Sequence, residues 1–269
     1  MTLSASLLLL LLLLSLTQAI PLQEDQEQEG GPEGDPESVD IGSRILNTNN
    51  GTDEFLVEGD LLRPLTRNAL KCWSQSCLWP KGSDGLVTIP YTVNRQFNRR
   101  EIQTIDTGLK SFHRVSCIRF VSRTNQRDYL KIESQNGCFS FLGRQGKGQT
   151  VSLDEQGCVH HGIVQHEVLH ALGFRHEHNR SDRDSYVRIN WNNITPQSAF
   201  NFNKDDTNNL GVSYDYTSIM HYGRTAFSRN GQETITPIKD PHTSVGQRNG
   251  LSRLDIVKLN KLYSCEQKC

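Results

Sequence analysis

The stretch VQHEVLHALGFRHEHNR, residues 164–180, contains four of the nine histidines of the chain. His166 and His170 are four residues apart, so on a helix they project from the same face, one turn apart. Gly173 follows, and glycine readily adopts the left-handed conformation that ends a helix and reverses the chain. His176 can therefore return toward the first two histidines.

Three imidazoles at these positions are typical of a catalytic zinc site. Such a site has three protein ligands and keeps its fourth position open for water. Glu167 lies beside the first histidine, where its carboxylate can reach that water and act as a base. We therefore predict a helix from Gly162 to Leu172 and one zinc ion bound by His166, His170 and His176.

The other three histidines of this region, His160, His161 and His178, lie outside the ligand pattern. We interpret them as polar loop residues near the cleft. A second signal lies downstream in YTSIMHYGRTAF, residues 216–227. A lone methionine usually fills a core, but Met220 lies in a tight loop of the kind found beneath the metal in metzincin proteases.

The N-terminus is typical of a secretory signal peptide over residues 1–19. Eight consecutive leucines precede a site of small residues, and the apolar run is shorter than the roughly 20 residues of a membrane span. A basic n-region is missing, and the alternative is a signal anchor. No later stretch is apolar enough for a membrane span, so we expect a secreted, extracellular protein without membrane contact after signal removal.

Residues 20–67 differ in composition from the rest of the chain. They hold twelve acidic and three basic residues, which leaves 26 basic and 18 acidic residues after Arg67, a formal charge of +8. The leader is rich in Gly and Pro, and its first part has too few large apolar groups to form a core. It is either a solvated tail or a prosegment removed by a trypsin-like protease that cuts between Arg67 and Asn68.

The residues from 68 to 269 are enough for one α+β domain. Strands are predicted at 86–93, 117–121, 128–134 and 148–158, and a helix at 100–115, from the spacing of apolar residues. A final helix follows Ser252, which forms a capping box with Asp255. Strands and helices concentrate in the first half and loops in the second, which predicts two lobes.

The motif HEVLHALGFRHEH (166–178), together with SIMHYG (218–223), resembles the astacin family of zinc metalloendopeptidases. The likeness runs from about Asn68 to Cys265, and every specified residue of the family motif is present. It implies the metzincin fold, with a mixed sheet and helices in the N-terminal lobe and a loop-rich C-terminal lobe that ends in a helix.

The resemblance also assigns roles to single residues. Tyr222 corresponds to a fifth zinc ligand that swings away to stabilise the transition state, and Glu177 to the acid that receives the freed N-terminus of Asn68. Asp60, in FLVEGD (55–60), corresponds to the aspartate that occupies the open metal position and silences the zymogen. The alternative for Asp60 is an ordinary Gly–Asp turn.

The seven cysteines suit an oxidising compartment, although their pairing does not follow from the sequence alone. Family pairing implies the disulfides Cys117–Cys265 and Cys138–Cys158. A Cys72–Cys77 loop resembles the fish hatching enzymes (choriolysins) and the nephrosin type, and Cys269 is left as a free thiol. Glycosylation sequons occur at Asn50, Asn179 and Asn193, of which Asn179 lies so close to the zinc motif that we doubt its use.

The resemblance implies an endopeptidase that acts on proteins, and we favour a hatching enzyme that digests egg-envelope glycoproteins. A nephrosin-like enzyme of tissue or blood cells is the alternative. A zinc-binding protein without catalysis is a further one, which the intact Glu167 argues against. No nucleic-acid partner is expected.

Overall fold

Residues 39–62, 77–247 and 249–265 are described by a computed structural model of the chain. The predicted signal peptide, the predicted cleavage site between Arg67 and Asn68, Cys72 and Cys269 lie outside these residues. Among the described helices, none is long and apolar enough to cross a membrane.

Helices and strands are dense in the N-terminal half and sparse in the C-terminal half. In chain order they are α1 (Ile41–Thr48), β1 (Leu56–Val57), β2 (Leu61–Leu62), β3 (Val87–Val93), α2 (Arg99–Val115), β4 (Ile118–Ser122), β5 (Tyr129–Glu133), β6 (Cys138–Phe141), β7 (Gly148–Leu153), α3 (His161–Ala171), β8 (Val187–Ile189), β9 (Ile235–Pro237) and α4 (Arg253–Leu262). Short 3₁₀ helices occur at Glu177–Asn179, Arg183–Ser185, Trp191–Asn193 and Pro196–Phe202. The predicted α+β class, with a loop-rich second half and a final helix, is confirmed.

The main sheet has seven strands in the order β1-β2-β6-β7-β5-β3-β4. Strands β4, β3, β5 and β7 are parallel, whereas β6 runs antiparallel to β7. Strand β6 was not predicted, and it separates the parallel strands from the two short strands of the leader. The smaller sheet pairs β8 with β9.

The second half of the leader folds against the rest of the chain, so the solvated-tail alternative is wrong for residues 40–62. Helix α1 buries Ile45 completely, and β2 pairs in parallel with β6. The side chain of Asn49, the residue after α1, connects the leader to β6. Its Nδ2 donates to the carbonyls of Gly59 (2.8 Å) in the leader and Cys138 (2.7 Å) in β6. Its Oδ1 accepts from the amide of Cys138 at 2.6 Å.

Helix α3 is buried almost throughout, and its end is fixed by hydrogen bonds from other elements. The indole of Trp79 donates to the carbonyl of Ala171 (3.0 Å), and the hydroxyl of Tyr263 to that of Leu172 (3.0 Å). These bonds satisfy carbonyls that a helix terminus leaves without a partner. Gly173 then takes φ +101°, a conformation that favours glycine, and turns the chain.

Two hydrophobic clusters lie in the described chain, and the first takes residues from both predicted lobes. The first joins helices α2, α3 and α4 to the main sheet and includes Ile105, Phe112, Ile132, Val168 and Leu259. The second lies in the C-terminal half and includes Val187, Phe202, Tyr222 and Ile235.

Disulfides and a capping box fix the ends of several elements. Cys117 is bonded to Cys265, and Cys138 to Cys158. Cys77 is also disulfide-bonded, and its expected partner Cys72 lies outside the described residues. The predicted capping box of Ser252 and Asp255 is present at the start of α4.

Two isoleucines of α2 provide a matched test of this packing. Ile105 is fully buried, whereas Ile102 is 40% exposed. Ile105→Ala removes buried methyl groups and leaves a cavity, so it should lower the free energy of unfolding by about 2–5 kcal/mol. Ile102→Ala should change it by less than about 1 kcal/mol. Denaturant unfolding of the full chain measures both, and equal losses would contradict the packing of α2.

Candidate metal centre

Helix α3 and the turn after it bring three imidazoles around one carboxylate of the leader. Nε2 of His166 lies 3.0 Å from Oδ2 of Asp60, Nε2 of His170 3.2 Å from Oδ1, and Nε2 of His176 3.2 Å from Oδ2. The four side chains are buried, and their ligand atoms lie within 4.8 Å of one another. The structure therefore brings together the three predicted histidines and the predicted Asp60.

The opposite ring nitrogens of the histidines contact fixed acceptors. Nδ1 of His166 lies 2.9 Å from the carbonyl oxygen of Ile219, and Nδ1 of His170 lies 2.7 Å from that of Phe174. Since a carbonyl only accepts, both Nδ1 atoms carry hydrogen, and in the neutral rings the Nε2 atoms keep their lone pairs. Such outer contacts orient histidine ligands in metal sites.

These residues fit a zinc ion. Nε2 of His170 and Oδ1 of Asp60 are both buried and have no hydrogen-bond partner, although they face each other. Two facing lone pairs repel unless a cation lies between them. Three imidazole nitrogens and one carboxylate oxygen are a ligand set that tetrahedral zinc accepts.

Charge in this buried cluster shifts the ionisation of its members. Burial works against ionisation of Asp60, but the charge of His176 and His170 outweighs it and holds the Asp60 pKa well below its usual range. Burial lowers the pKa of His170 to about 4. Burial also opposes protonation of His176, but Asp60 and Glu58 together outweigh it and raise the His176 pKa to about 9.

Glu58, two residues before Asp60, is a site residue that the sequence analysis did not identify. Its carboxylate accepts from Nδ1 of His176 at 3.0 Å and pairs with the guanidinium of Arg175. Burial opposes its ionisation, but the hydrogen bond from His176 and the charge of Arg175 lower its pKa to about 2. No local pattern marks Glu58, because its partner His176 lies 118 residues away.

Glu167 lies on α3 directly after the first ligand. Both oxygens of its carboxylate are buried, and neither has a hydrogen-bond partner. Burial, with the negative charge of Asp60, raises the pKa of Glu167 well above its usual range. The side chain predicted as the base is thus free of protein hydrogen bonds and electrostatically coupled to Asp60.

Tyr222 is also in contact with the leader. Its buried hydroxyl donates to the main-chain carbonyl of Glu58. The centroid of its ring lies 4.5 Å from that of His176 and 4.1 Å from that of His178, on which it stacks. The predicted fifth ligand therefore has its hydroxyl on the leader in this state.

The loop around Met220 contacts the first histidine ligand and the residue after the third one. Ile219 supplies the carbonyl for His166, and Met220 accepts from the amide of Glu177 at 3.0 Å. Asp255 at the start of α4 holds the loop, because its carboxylate accepts from Ser218 Oγ (2.6 Å) and from the Ile219 amide (2.9 Å).

Glu177 follows the third ligand and is buried in a charged cluster. Its carboxylate pairs with Lys258 of α4 (2.5 Å) and Arg180 (3.0 Å), and it accepts from the amide of Asp215 (2.8 Å). Burial nevertheless raises its pKa. Lys258 carried no recognisable signal in the sequence. The amine of Asn68, which Glu177 was predicted to receive, lies outside the described residues.

The interpretation of His178 as a polar loop residue is wrong. His178 is fully buried in a 3₁₀ helix, between the rings of Tyr222 and Phe202. Burial holds its pKa well below its usual range. His160 and His161 lie at the start of α3, where His160 is exposed and contacts Arg44 of the leader.

The sequon asparagines differ in their surroundings. Asn50 is exposed, and the Asn193 amide donates to the carbonyl of Glu233 at 2.9 Å. Asn179 is buried, and its amide donates to the carbonyls of Asn201 (2.9 Å) and Asn203 (2.6 Å). A glycan on Asn179 would replace one of the two amide hydrogens and so break at least one of these bonds.

Comparison with known proteins places this site in a family. A profile of the astacin peptidase family matches residues 74–264. High choriolytic enzyme 1 of Oryzias latipes is 54% identical over 262 residues, which cover 96% of this chain and 97% of the relative. Low choriolytic enzyme of the same fish is 48% identical, with the same coverage of both chains.

A solved structure agrees with the sequence comparison. The structure of high choriolytic enzyme 1, described as a hatching enzyme zinc-protease of medaka fish, superposes with a TM-score of 0.71 and 56% sequence identity. The match covers 74% of this chain and all of that one. The chain therefore belongs to the astacin family and is a zinc metalloendopeptidase related to the hatching enzymes.

Proposed function

We propose that this protein is a secreted hatching enzyme, made as a zymogen, that digests egg-envelope proteins after its leader is removed. The observation that carries the zymogen proposal is the position of Asp60, whose carboxylate lies among the three histidine Nε2 atoms. In the proposed division, residues 1–19 are the signal, 20–67 the inhibitory leader and 68–269 the protease.

The leader opposes activity at three points in this proposal. Asp60 fills the position where an attacking water would lie, next to Glu167. The Glu58 carboxylate binds the outer nitrogen of His176, and its main-chain carbonyl binds the Tyr222 hydroxyl. Glu58 has φ +52°, an uncommon conformation for a residue with a side chain, so the contacts around it must outweigh a backbone cost of about 1 kcal/mol or more.

Removal of the leader frees the residues that perform hydrolysis. His166, His170 and His176 would hold the zinc ion, which would supply the Lewis acid for the scissile carbonyl and the attacking water. The Glu167 carboxylate, which has no protein hydrogen-bond partner, accepts a proton from that water and delivers it to the leaving amine nitrogen. The Tyr222 hydroxyl, released from Glu58, donates a hydrogen bond to the oxygen that becomes negative in the transition state.

Strand β6 provides the place for an extended substrate. In this structure the leader covers β6 in two ways. Strand β2 pairs with it, and the Asn49 side chain both donates to the carbonyl of Cys138 and accepts from its amide. Without the leader these main-chain groups are an open sheet edge, to which a polypeptide can add as a further strand. The site therefore suits an endopeptidase that binds unfolded or extended protein segments.

A second consequence of cleavage concerns Glu177. A cavity of about 510 Å³ lies beside this residue and is also lined by Asp205, Asp206 and Lys258. We propose that the freed amine of Asn68 enters this cavity and pairs with Glu177, where it would compete with Lys258 and Arg180.

The hatching role is supported by the likeness to choriolytic enzymes over nearly the whole chain. It is tested with the full chain, treated briefly with trypsin and supplied with azocasein or isolated egg envelope. Digestion of azocasein that requires trypsin and stops with a zinc chelator would support the zymogen and the zinc protease. An envelope left intact by an enzyme active on azocasein would overturn the hatching role.

Glu167→Gln separates catalysis from metal binding. The amide cannot accept the proton of the attacking water, so peptide hydrolysis should fall by at least about 10²-fold, while zinc content stays near one per chain. Glu155→Gln is the control, because Glu155 is an exposed glutamate on the loop before α3. Hydrolysis by Glu167→Gln at the rate of this control would refute the assignment.

Asp60→Ala tests inhibition by the leader. Without the carboxylate, the uncut chain should hydrolyse a short fluorogenic peptide at least about tenfold faster than the uncut parent, because about 1.4 kcal/mol of competing interaction suffices for that factor. Asp53→Ala, which removes an exposed aspartate of the same leader, should leave the uncut chain silent. An uncut Asp60→Ala chain as inactive as the Asp53 control would show that Asp60 is not the inhibitory group.

A further inference from the structure

A surface groove of about 660 Å³ lies in the C-terminal half, away from the zinc ligands. Strands β8 and β9 contribute to its walls, together with Trp191, Lys204, Ile238 and Pro241. Trp191 and Ile238 are each 50% exposed, although large apolar side chains are usually more buried than this in a soluble domain. An exposed tryptophan in a concave surface favours contact with another molecule.

The groove carries a positive charge. Arg183, Arg188 and Lys204 line it, against the single carboxylate of Asp184. Asp184 is shared by Arg183 (2.7 Å) and Lys204 (2.6 Å), and Arg188 is exposed. A net charge of two in a concave surface attracts carboxylates.

Two physical connections join the groove to the active site. The guanidinium of Arg183 donates to the carbonyl of His178 at 2.8 Å, two residues after the zinc ligand His176. The ring of Trp191 contacts Phe202, which contacts Phe227, with centroid separations of 6.3 and 5.9 Å.

Of these three rings, Phe227 is the one that contacts the active-site residue Tyr222. It also lies next to Gly59 of the leader. The two centroid separations put Trp191 within about 12 Å of Phe227. An extended polypeptide advances about 3.3 Å per residue, so a segment of a few residues can span a separation of this size.

We propose that this groove is a second binding site for the protein substrate and that it takes an extended, acidic polypeptide segment a few residues from the bond that is cut. Arg188 and Lys204 bind carboxylates of the segment, and Trp191 with Ile238 contacts its apolar side chains. The inference rests on the proposed function, since it assumes that the activated chain cuts proteins. It adds a preference for acidic protein that the zinc site itself does not create.

The test compares a protein substrate with a peptide that is too short to extend from the cleft into the groove. The charge-reversal variant Arg188→Glu with Lys204→Glu and the variant Trp191→Ala are made in the full chain and activated with trypsin. Two lost surface attractions should raise KM for azocasein by about fivefold, with kcat and the kcat/KM of a short fluorogenic peptide unchanged. A soluble poly-glutamate peptide should inhibit azocasein digestion by the parent without inhibiting cleavage of the short peptide.

Lys110→Glu with Arg127→Glu is the matched control, because it reverses two exposed cations in the N-terminal half. It changes the net charge equally and should leave both substrates unaffected. The proposal is overturned if this control raises the azocasein KM as much as the groove variant does, or if neither raises it. It is also overturned if the groove variants lose short-peptide cleavage in parallel. A parent that cuts neither substrate would instead refute the proposed function, and this inference with it.

Discussion

The orientation of three imidazole rings is the constraint on which the rest of this structure depends. An acceptor on Nδ1 fixes the direction in which a histidine offers Nε2 to a metal, and here the three acceptors come from three different parts of the chain. Ile219 belongs to the loop around Met220, Phe174 to the turn after α3, and Glu58 to the leader. Helix α4 is part of the same arrangement, because Asp255 holds the loop that presents Ile219. The carbonyls of Ile219 and Phe174 belong to the protease domain, whereas the acceptor for His176 would be lost if the leader is removed as proposed.

Much of the site could be predicted from the sequence because its geometry is local. The spacing of His166, His170 and His176 follows from one helical turn and one glycine turn, and the family resemblance added Asp60 and Tyr222. The same holds for the capping box at Ser252, in which all the interacting atoms lie within four residues. Local spacing could not reveal Glu58 or the burial of His178. Their partners are His176, Tyr222 and Phe202, and only the folded chain brings these together.

The missed elements of the fold have a similar cause. Average composition made the leader resemble a solvated tail and concealed a short helix that buries Ile41 and Ile45, four residues apart. Strand β6 is only four residues long, too short to show a clear alternation of apolar and polar residues. It is stabilised by its neighbours β2 and β7, which pair with it on either side. The start of α1 does have a local signal, because Asp40 caps the helix by accepting from the amide of Ser43.

The pairing of the leader with β6 also bears on how this protein folds and stays soluble. In the described sheet, β6 has β7 on one side and only the leader on the other. An unprotected edge strand can pair with the edge of a second molecule and start aggregation. In the proposed zymogen, the leader would therefore also protect this edge against aggregation. Its removal would open the same edge to any extended chain, including those of other copies of the enzyme.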